Sequence, residues 1–243
     1  MYNLLIAFAA GVAVTLAVWL AGLPLLAGIV PGVLVFVGVY ILLARRISKK
    51  LQALVAAAQK ELQGISSPRD RDAKVAKAVK TLQQGLQYDR WQIMVAAQVH
   101  GQIGVLHYML KDYPAAEPHL AQASARDPMA QAMRGALYYQ RKEYGPMAEA
   151  FERAVKAGKK EGLVWAVYAW CLAQSKEREK AIAVLGRAVA ANPSDEKLKA
   201  GLTALQNDKR MKMKGWEPMW WQFNLETPPQ DLGGGRRVQF QRR

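Results

Sequence analysis

The first 44 residues of the chain are almost wholly apolar, and none of them is Asp, Glu, Lys or Arg. A stretch of this length is too long for one membrane-spanning helix and suits two spans of about 20 residues each. Gly22, Leu23 and Pro24 form the plausible turn between the two spans. The pattern therefore predicts a transmembrane helical hairpin over residues 1–44, with helices near 3–21 and 25–44.

Small residues recur at every fourth position of this hairpin, at Ala9, Ala13, Ala17 and Ala21 in the first helix and at Gly28 and Gly32 in the second. Such stripes let helix backbones approach closely in lipid. They predict that the two helices pack on each other or on the spans of another protein. Pro31 is expected to kink the second helix or to mark its start.

Charged residues appear only after residue 44, beginning with Arg45, Arg46, Lys49 and Lys50. Positive residues beside a span stay on the cytoplasmic side, so both termini and the rest of the chain are predicted to be cytoplasmic. A cleaved signal peptide is disfavoured, because the N-terminus lacks a positive side chain and the apolar region is too long.

Residues 45–68 are predicted to form a juxtamembrane amphipathic helix and a linker. Apolar residues recur there at helical spacing, at Ile47, Leu51, Leu54, Val55, Ala58 and Leu62, until a Ser-Ser-Pro sequence ends the pattern. The helix is interpreted as a stalk with one face on the following domain or on lipid. Self-association through that face is the alternative.

One pattern of small and large apolar residues then recurs three times between residues 97 and 193. Its columns are Gly104, Gly135 and Ala169, then Leu120, Phe151 and Leu185, then Ala123, Ala154 and Ala188, so the copies are spaced by 31 and 34 residues. The third copy is the strongest and carries Trp165, Tyr168, Ala169 and Leu172 at W-x2-L-G-x2-Y spacing. The pattern resembles the tetratricopeptide repeat, a helix–turn–helix unit of about 34 residues.

The resemblance implies an all-α fold in which the hairpin is followed by a right-handed helical solenoid over residues 69–208. A half-repeat would come first, with Trp91 beginning the next long helix. Full repeats would follow near 97–128, 128–160 and 162–193, and a capping helix over 194–208, with Ser194 as its N-cap, would close the stack.

In tetratricopeptide proteins the first helix of each pair lines a concave groove that binds a partner. By this resemblance the groove holds Val105, Tyr108, Met109, Met133, Ala136, Tyr139, Gln140, Leu163, Val167, Trp170 and Gln174. Family members that clamp a terminal carboxylate use Lys, Asn and Arg there, and those types are missing. The resemblance therefore implies an apolar or aromatic ligand segment.

The tail over residues 209–243 is basic and rich in tryptophan. Trp216, Trp220, Trp221 and Phe223 follow a cluster of lysines and arginines. Tryptophans bury large areas, so something is expected to cover them. Packing on the repeats is favoured over contact with a lipid surface, because the acidic residues Glu217 and Glu226 weaken the basic and aromatic character typical of a lipid-binding segment.

The sequence carries no catalytic or metal-binding constellation. Cys171 is the single cysteine, and His100 and His107 lie too far apart on one helix to share a metal, so all three histidines, including His119, are interpreted as packing or surface residues. The chain is thus predicted to be neither an enzyme nor a cofactor protein. It is predicted to be a membrane-anchored adaptor in a bacterial inner membrane, with an unknown protein partner and with homo-oligomerisation left open.

Nucleic-acid or ribosome binding through the basic aromatic tail is the alternative function. It is motivated by the net charge of +15, because phosphate neutralisation and base stacking use these residue types. The scattered placement of the basic groups argues against it.

Overall fold

The computed structural model describes residues 1–63 and 68–227. All regular structure in these residues is helical, which confirms the prediction of an all-α chain for this part. The α-helices are α1 (Tyr2–Leu20), α2 (Leu25–Glu61), α3 (Pro68–Gln83), α4 (Val95–Met109), α5 (Tyr113–Gln122), α6 (Pro128–Gln140), α7 (Tyr144–Ala157), α8 (Gly162–Gln174), α9 (Arg178–Ala191) and α10 (Glu196–Gln206). Short 3₁₀ helices cover Gln84–Tyr88, Lys214–Trp216 and Met219–Phe223.

The first two helices form a closely packed hairpin, and each is long and apolar enough to cross a membrane. A methyl group on Gly28 would lie 2.8 Å from the Thr15 carbonyl oxygen, and one on Gly11 would lie 2.8 Å from the Gly32 carbonyl oxygen. The Thr15 hydroxyl donates to the carbonyl oxygens of Gly11 (3.1 Å) and Gly28 (3.2 Å). Backbone contact between glycines thus fixes the hairpin.

The face that α1 presents to α2 differs from the predicted alanine stripe. Asn3, Ala7 and Gly11 are the buried residues of α1, whereas Ala9, Ala13, Ala17 and Ala21 are exposed. The alanine stripe therefore does not pack within the hairpin, so of the two predicted partners only the spans of another protein remain for it. Gly11 permits a closer backbone approach than any alanine, and the face containing it is the one that meets Gly28 and Gly32.

Helix α2 runs unbroken from Leu25 through Pro31 to Glu61, so Pro31 does not mark its start. Beyond the apolar segment, Ile47, Leu51 and Ala58 are buried. They form a hydrophobic cluster with residues of α3 and α4, namely Ala78, Leu82, Val95, Val99 and Ile103. The 17 residues after position 44 extend about 25 Å, and this packing joins the hairpin directly to the following helices.

Helices α4 to α9 pack as consecutive pairs, α4 with α5, α6 with α7 and α8 with α9, and α6 also contacts α4 and α8. The turns within the pairs are built alike. Lys111, Lys142 and Lys176 adopt left-handed φ angles of 63°, 62° and 64°. The next residue, Asp112, Glu143 or Glu177, donates its backbone N–H to the carbonyl five positions earlier at 2.9 Å. This is the Schellman arrangement of helix ends, and it recurs at the 31- and 34-residue spacing of the sequence pattern.

Two predicted helix starts were wrong. Trp91 does not begin a helix but lies in a loop over residues 89–94, because Met94 adopts a left-handed φ of 72° and α4 begins only at Val95. At α10 the N-cap is Asp195 rather than Ser194. The Asp195 carboxylate accepts from the backbone N–H groups of Lys197 and Leu198.

Candidate functional site

The tail segment, defined here as residues 209–227, crosses the surface formed by α4, α6, α8 and α10. Its first part has no regular secondary structure, and its residues alternate in exposure. Met211 and Met213 are buried in the main hydrophobic core, while Arg210, Lys212 and Lys214 point to solvent. Met211 lies beside Gly201 of α10, where a methyl group would come within 3.3 Å of its terminal carbon. The alternation has the two-residue period of an extended chain with one face buried.

Trp216 is the first aromatic residue of the tail segment to reach the helices. A methyl group on Gly162, the first residue of α8, would clash with the Asp195 carboxylate and lie 2.7 Å from the Trp216 ring, so glycine leaves room for both groups. The Lys197 ammonium lies 5.0 Å from the ring centroid, within the range of a cation–π contact. Both contacts hold Trp216 at the start of α8.

Trp220 and Phe223 are the deepest residues of the tail segment, with 1% and 0% of their surface exposed. The Trp220 ring meets Trp170 edge to face at 5.0 Å, and Trp170 meets Tyr139 in the same way at 5.7 Å. Such aromatic pairs contribute about 0.5–1.5 kcal/mol beyond their buried area. The two tail aromatics are therefore part of the protein core.

Hydrogen bonds also join the helices to the tail backbone. The Tyr108 hydroxyl donates to the Phe223 carbonyl oxygen at 2.6 Å, and the Gln140 amide donates to the Asn224 carbonyl oxygen at 3.4 Å. The Asn224 amide in turn donates to the Tyr108 carbonyl oxygen at 3.0 Å. Burial raises the pKa of the Tyr108 phenol well above its ordinary value, so the hydroxyl stays protonated and remains a donor.

The tail segment contacts four of the sequence-derived groove residues directly, namely Tyr108, Met109, Gln140 and Trp170. Met133, Ala136, Leu163, Val167 and Trp170 are buried in the same core cluster as Trp220 and Phe223, and Val105 and Tyr139 are partly buried against it. Met109 and Gln174 lie at the exposed edge. We call this surface of α4, α6 and α8 the aromatic groove.

Sequence reasoning missed four residues of this site. Tyr113 packs on Tyr108 at 5.3 Å and approaches Gln140, and Asn224 holds the tail backbone in a left-handed conformation with φ of 50°. The alternation of Met211 and Met213 with basic residues is a readable signal for an extended segment with one buried face. Tyr113 and Asn224 carry no such signal.

The burial of the tail aromatics also bears on the nucleic-acid alternative. Trp220 and Phe223 have no free ring face for base stacking, and Trp216 and Trp221 are partly covered. Residues 228–243, which hold the last arginines of the basic tail, lie outside the described residues. Trp220 and Phe223, two of the aromatic residues invoked for base stacking, are thus occupied by contacts within the protein.

The three histidines converge between α4 and α5. The Nδ1 atoms of His100 and His119 lie 2.8 Å apart, so one donates to the other. The rings of His107 and His119 stack at 6.2 Å, and His107 Nδ1 lies 3.0 Å from an Asp112 oxygen. Burial first, then His100 and His107, lowers the pKa of His119. Within the described ranges, no group of three His, Cys, Asp or Glu residues has metal-binding geometry.

Comparison with protein-family models, with curated proteins and with solved structures finds no match for this chain.

Proposed function

We propose that this protein is a membrane-anchored scaffold of the tetratricopeptide type that binds a partner protein at the cytoplasmic face of a bacterial inner membrane. Three helix pairs with the same lysine-acid turn, spaced by 31 and 34 residues, support the repeat assignment. Close approaches at the repeat's small-residue columns support it further, with Gly104 against Leu120 and Gly135 against Phe151. Stacked pairs of this kind form a solenoid with a concave binding surface.

The observation that carries the proposal is the way in which the aromatic groove holds a peptide segment. Two aromatic side chains, Trp220 and Phe223, fill the groove, while Tyr108 and Gln140 donate to main-chain oxygens. Main-chain hydrogen bonds supply affinity without regard to sequence, and the aromatic positions supply selectivity. A partner segment with two aromatic side chains three residues apart would satisfy the same contacts.

The tail segment is then a resident occupant of the aromatic groove, and the partner competes with it. Because the tail segment is covalently attached, its effective concentration is high. A partner must therefore bind the groove more tightly than the tail segment does, or be concentrated at the membrane surface. Anchoring by α1 and α2, with Arg45 and Arg46 beside the second span, provides that concentration.

The proposal is tested by photo-crosslinking from the groove edge in native membranes. A benzophenone amino acid replaces Met109, which is 41% exposed, in the wild type and in a tail-released variant with Trp220→Ala and Phe223→Ala. The released variant is expected to capture a partner more strongly than the wild type does. Adding Trp170→Ala to the released variant is the matched control and should abolish that capture.

Identical capture by all three proteins would show that the aromatic groove is not the recognition surface. The scaffold function would then have to depend on another surface, and the tail segment would be a purely structural cap.

A further inference from the structure

The loop between α3 and α4, residues 89–94, is fastened to the first turn of α1. The backbone N–H of Tyr2 donates to the Arg90 carbonyl oxygen at 2.9 Å, and that of Asn3 donates to the Trp91 carbonyl oxygen at 3.1 Å. The Tyr2 and Trp91 rings meet edge to face at 5.3 Å. The loop is therefore held at the level of the first residue of the hairpin.

The length of α1 fixes that level relative to a bilayer. Its 19 residues extend about 28 Å, close to the roughly 30 Å hydrocarbon thickness of a membrane. If α1 spans the bilayer, Tyr2 lies at the boundary between hydrocarbon and headgroups. The loop, joined to Tyr2 by two backbone hydrogen bonds, must lie in the headgroup region beside it.

The side chains of the loop have the chemistry of that region. Trp91, Ile93 and Met94 are exposed by 41%, 46% and 40%, although residues of these types favour burial. Tryptophan and basic residues are both favoured at membrane interfaces. Exposed basic side chains lie at Arg90 within the loop and at Arg45, Arg46 and Lys49, just beyond the apolar segment of α2.

The acidic residue of the loop, Asp89, is engaged in a hydrogen bond at the start of α4. The Asp89 carboxylate accepts from the Ala96 backbone N–H at 3.3 Å in the first turn of α4, and Lys50 lies 5.0 Å above the Tyr88 ring next to it. The loop thus exposes apolar side chains, with basic residues at Arg90 and just beyond the apolar segment of α2.

We propose that residues 89–94 form a second membrane contact, in which Trp91, Ile93 and Met94 enter the headgroup region of an anionic bilayer. This inference rests on the membrane-spanning role of the hairpin in the proposed function. Together with the unbroken helix α2, the contact fixes the orientation of α4 and the aromatic groove relative to the membrane. Arg90 and the basic residues beyond the apolar segment of α2 select negatively charged lipids.

The test places an environment-sensitive fluorophore on single cysteines of the full-length protein in vesicles of anionic and zwitterionic lipids. The labelled variants are Ile93→Cys in the loop, Val12→Cys at the middle of α1 and Met219→Cys on the exposed side of the tail segment. The native Cys171 is fully buried and its burial raises the pKa of the thiol, so it stays unlabelled in the folded protein. Nitroxide lipids quench the fluorophore either near the headgroups or near the bilayer centre.

The expected result is strong quenching at position 93 by the headgroup nitroxide, at position 12 by the central nitroxide, and at position 219 by neither. Quenching at position 93 is expected to weaken when anionic lipid is replaced by zwitterionic lipid. Quenching at position 12 without quenching at position 93 would overturn the loop contact and leave the anchor intact. That outcome is the one expected if the loop is a contact surface for another protein and not for lipid. Absence of quenching at both positions would overturn the membrane anchor itself.

Discussion

At the residue scale, Tyr108 connects the aromatic groove to the tail segment. Its ring packs against Tyr113, its hydroxyl donates to the Phe223 carbonyl oxygen, and its own carbonyl oxygen accepts from Asn224. The side chain is fully buried. Its hydroxyl therefore satisfies a polar group of the tail segment that water cannot reach.

Replacing Tyr108 with phenylalanine is expected to destabilise the protein by about 1–3 kcal/mol, because the Phe223 carbonyl oxygen would be buried without its donor. Tyr144→Phe is the matched control, since Tyr144 is 40% exposed and its loss should change stability by less than about 0.5 kcal/mol. Urea unfolding of both variants in mild detergent, followed by tryptophan fluorescence, measures the difference. Equal stability of the two variants would contradict the role assigned to Tyr108.

The histidine cluster predicts a pH dependence. The folded state lowers the pKa of His119, so between about pH 6.5 and the lowered value the unfolded chain binds more protons. Stability is therefore complete above about pH 6.5 and is lost as the pH falls through the folded-state pKa. Thermal unfolding of the wild type and of His119→Asn across this window should show a smaller pH slope in the variant. An unchanged slope would exclude His119 as its source.

The sequence was informative at this scale where a repeat column determines a position. Tyr108 and Trp170 were assigned to the groove from their columns, and both contact the tail segment. Asn224 could not be predicted, because its role depends on a left-handed backbone and on a contact with a residue more than a hundred positions away. His119 was interpreted alone, and only the packing of α5 on α4 brings it between the other two histidines.

At the scale of elements, close packing within the helix pairs depends on small residues. A methyl group on Gly135 of α6 would lie 2.7 Å from the Phe151 ring of α7, whereas one on Gly186 of α9 would have no neighbour within 4 Å. The two glycines therefore have opposite roles, although both lie inside helices.

Gly135→Ala is expected to destabilise the protein by about 1–3 kcal/mol through overpacking. Gly186→Ala should stabilise it by up to about 1 kcal/mol, because alanine has the higher helix propensity and meets no obstacle. Thermal unfolding followed by circular dichroism gives the sign of each change. Two changes of the same sign would refute the packing described for α6 and α7.

The ends of helices were predictable where apolar periodicity is strong. The predictions failed where the backbone conformation of a single residue sets the boundary. The hairpin helices were expected near 3–21 and 25–44 and occur at Tyr2–Leu20 and from Leu25 onward. Trp91 was expected to begin the helix that enters the first repeat, but the left-handed conformation of Met94 separates it from α4. Small-residue spacing alone could not choose the packing face of α1, because the alanine stripe and the stripe of Asn3, Ala7 and Gly11 both repeat every four residues.

At the scale of the whole molecule, one continuous helix joins the N-terminal hairpin to the helix pairs. Helix α2 passes from the apolar segment into a cluster with α3 and α4 without a break. Contacts between α4 and the tail segment then join residues that are far apart in sequence, such as Tyr108 and Phe223. Under the proposed membrane anchoring, this connection would hold the aromatic groove at a fixed height above the membrane.

The most direct test of the account is binding of a fluorescent peptide with the sequence of residues 211–227 to the full-length protein in lipid nanodiscs. We predict saturable binding to the tail-released variant, little binding to the wild type, and loss of binding when Trp170→Ala is added or when the peptide carries Trp220→Ala. Fluorescence anisotropy gives the affinities. Equal binding to the wild type and to the released variant, or no binding to the released variant, would contradict the claim that the aromatic groove is a peptide-binding surface occupied by the protein's own tail segment.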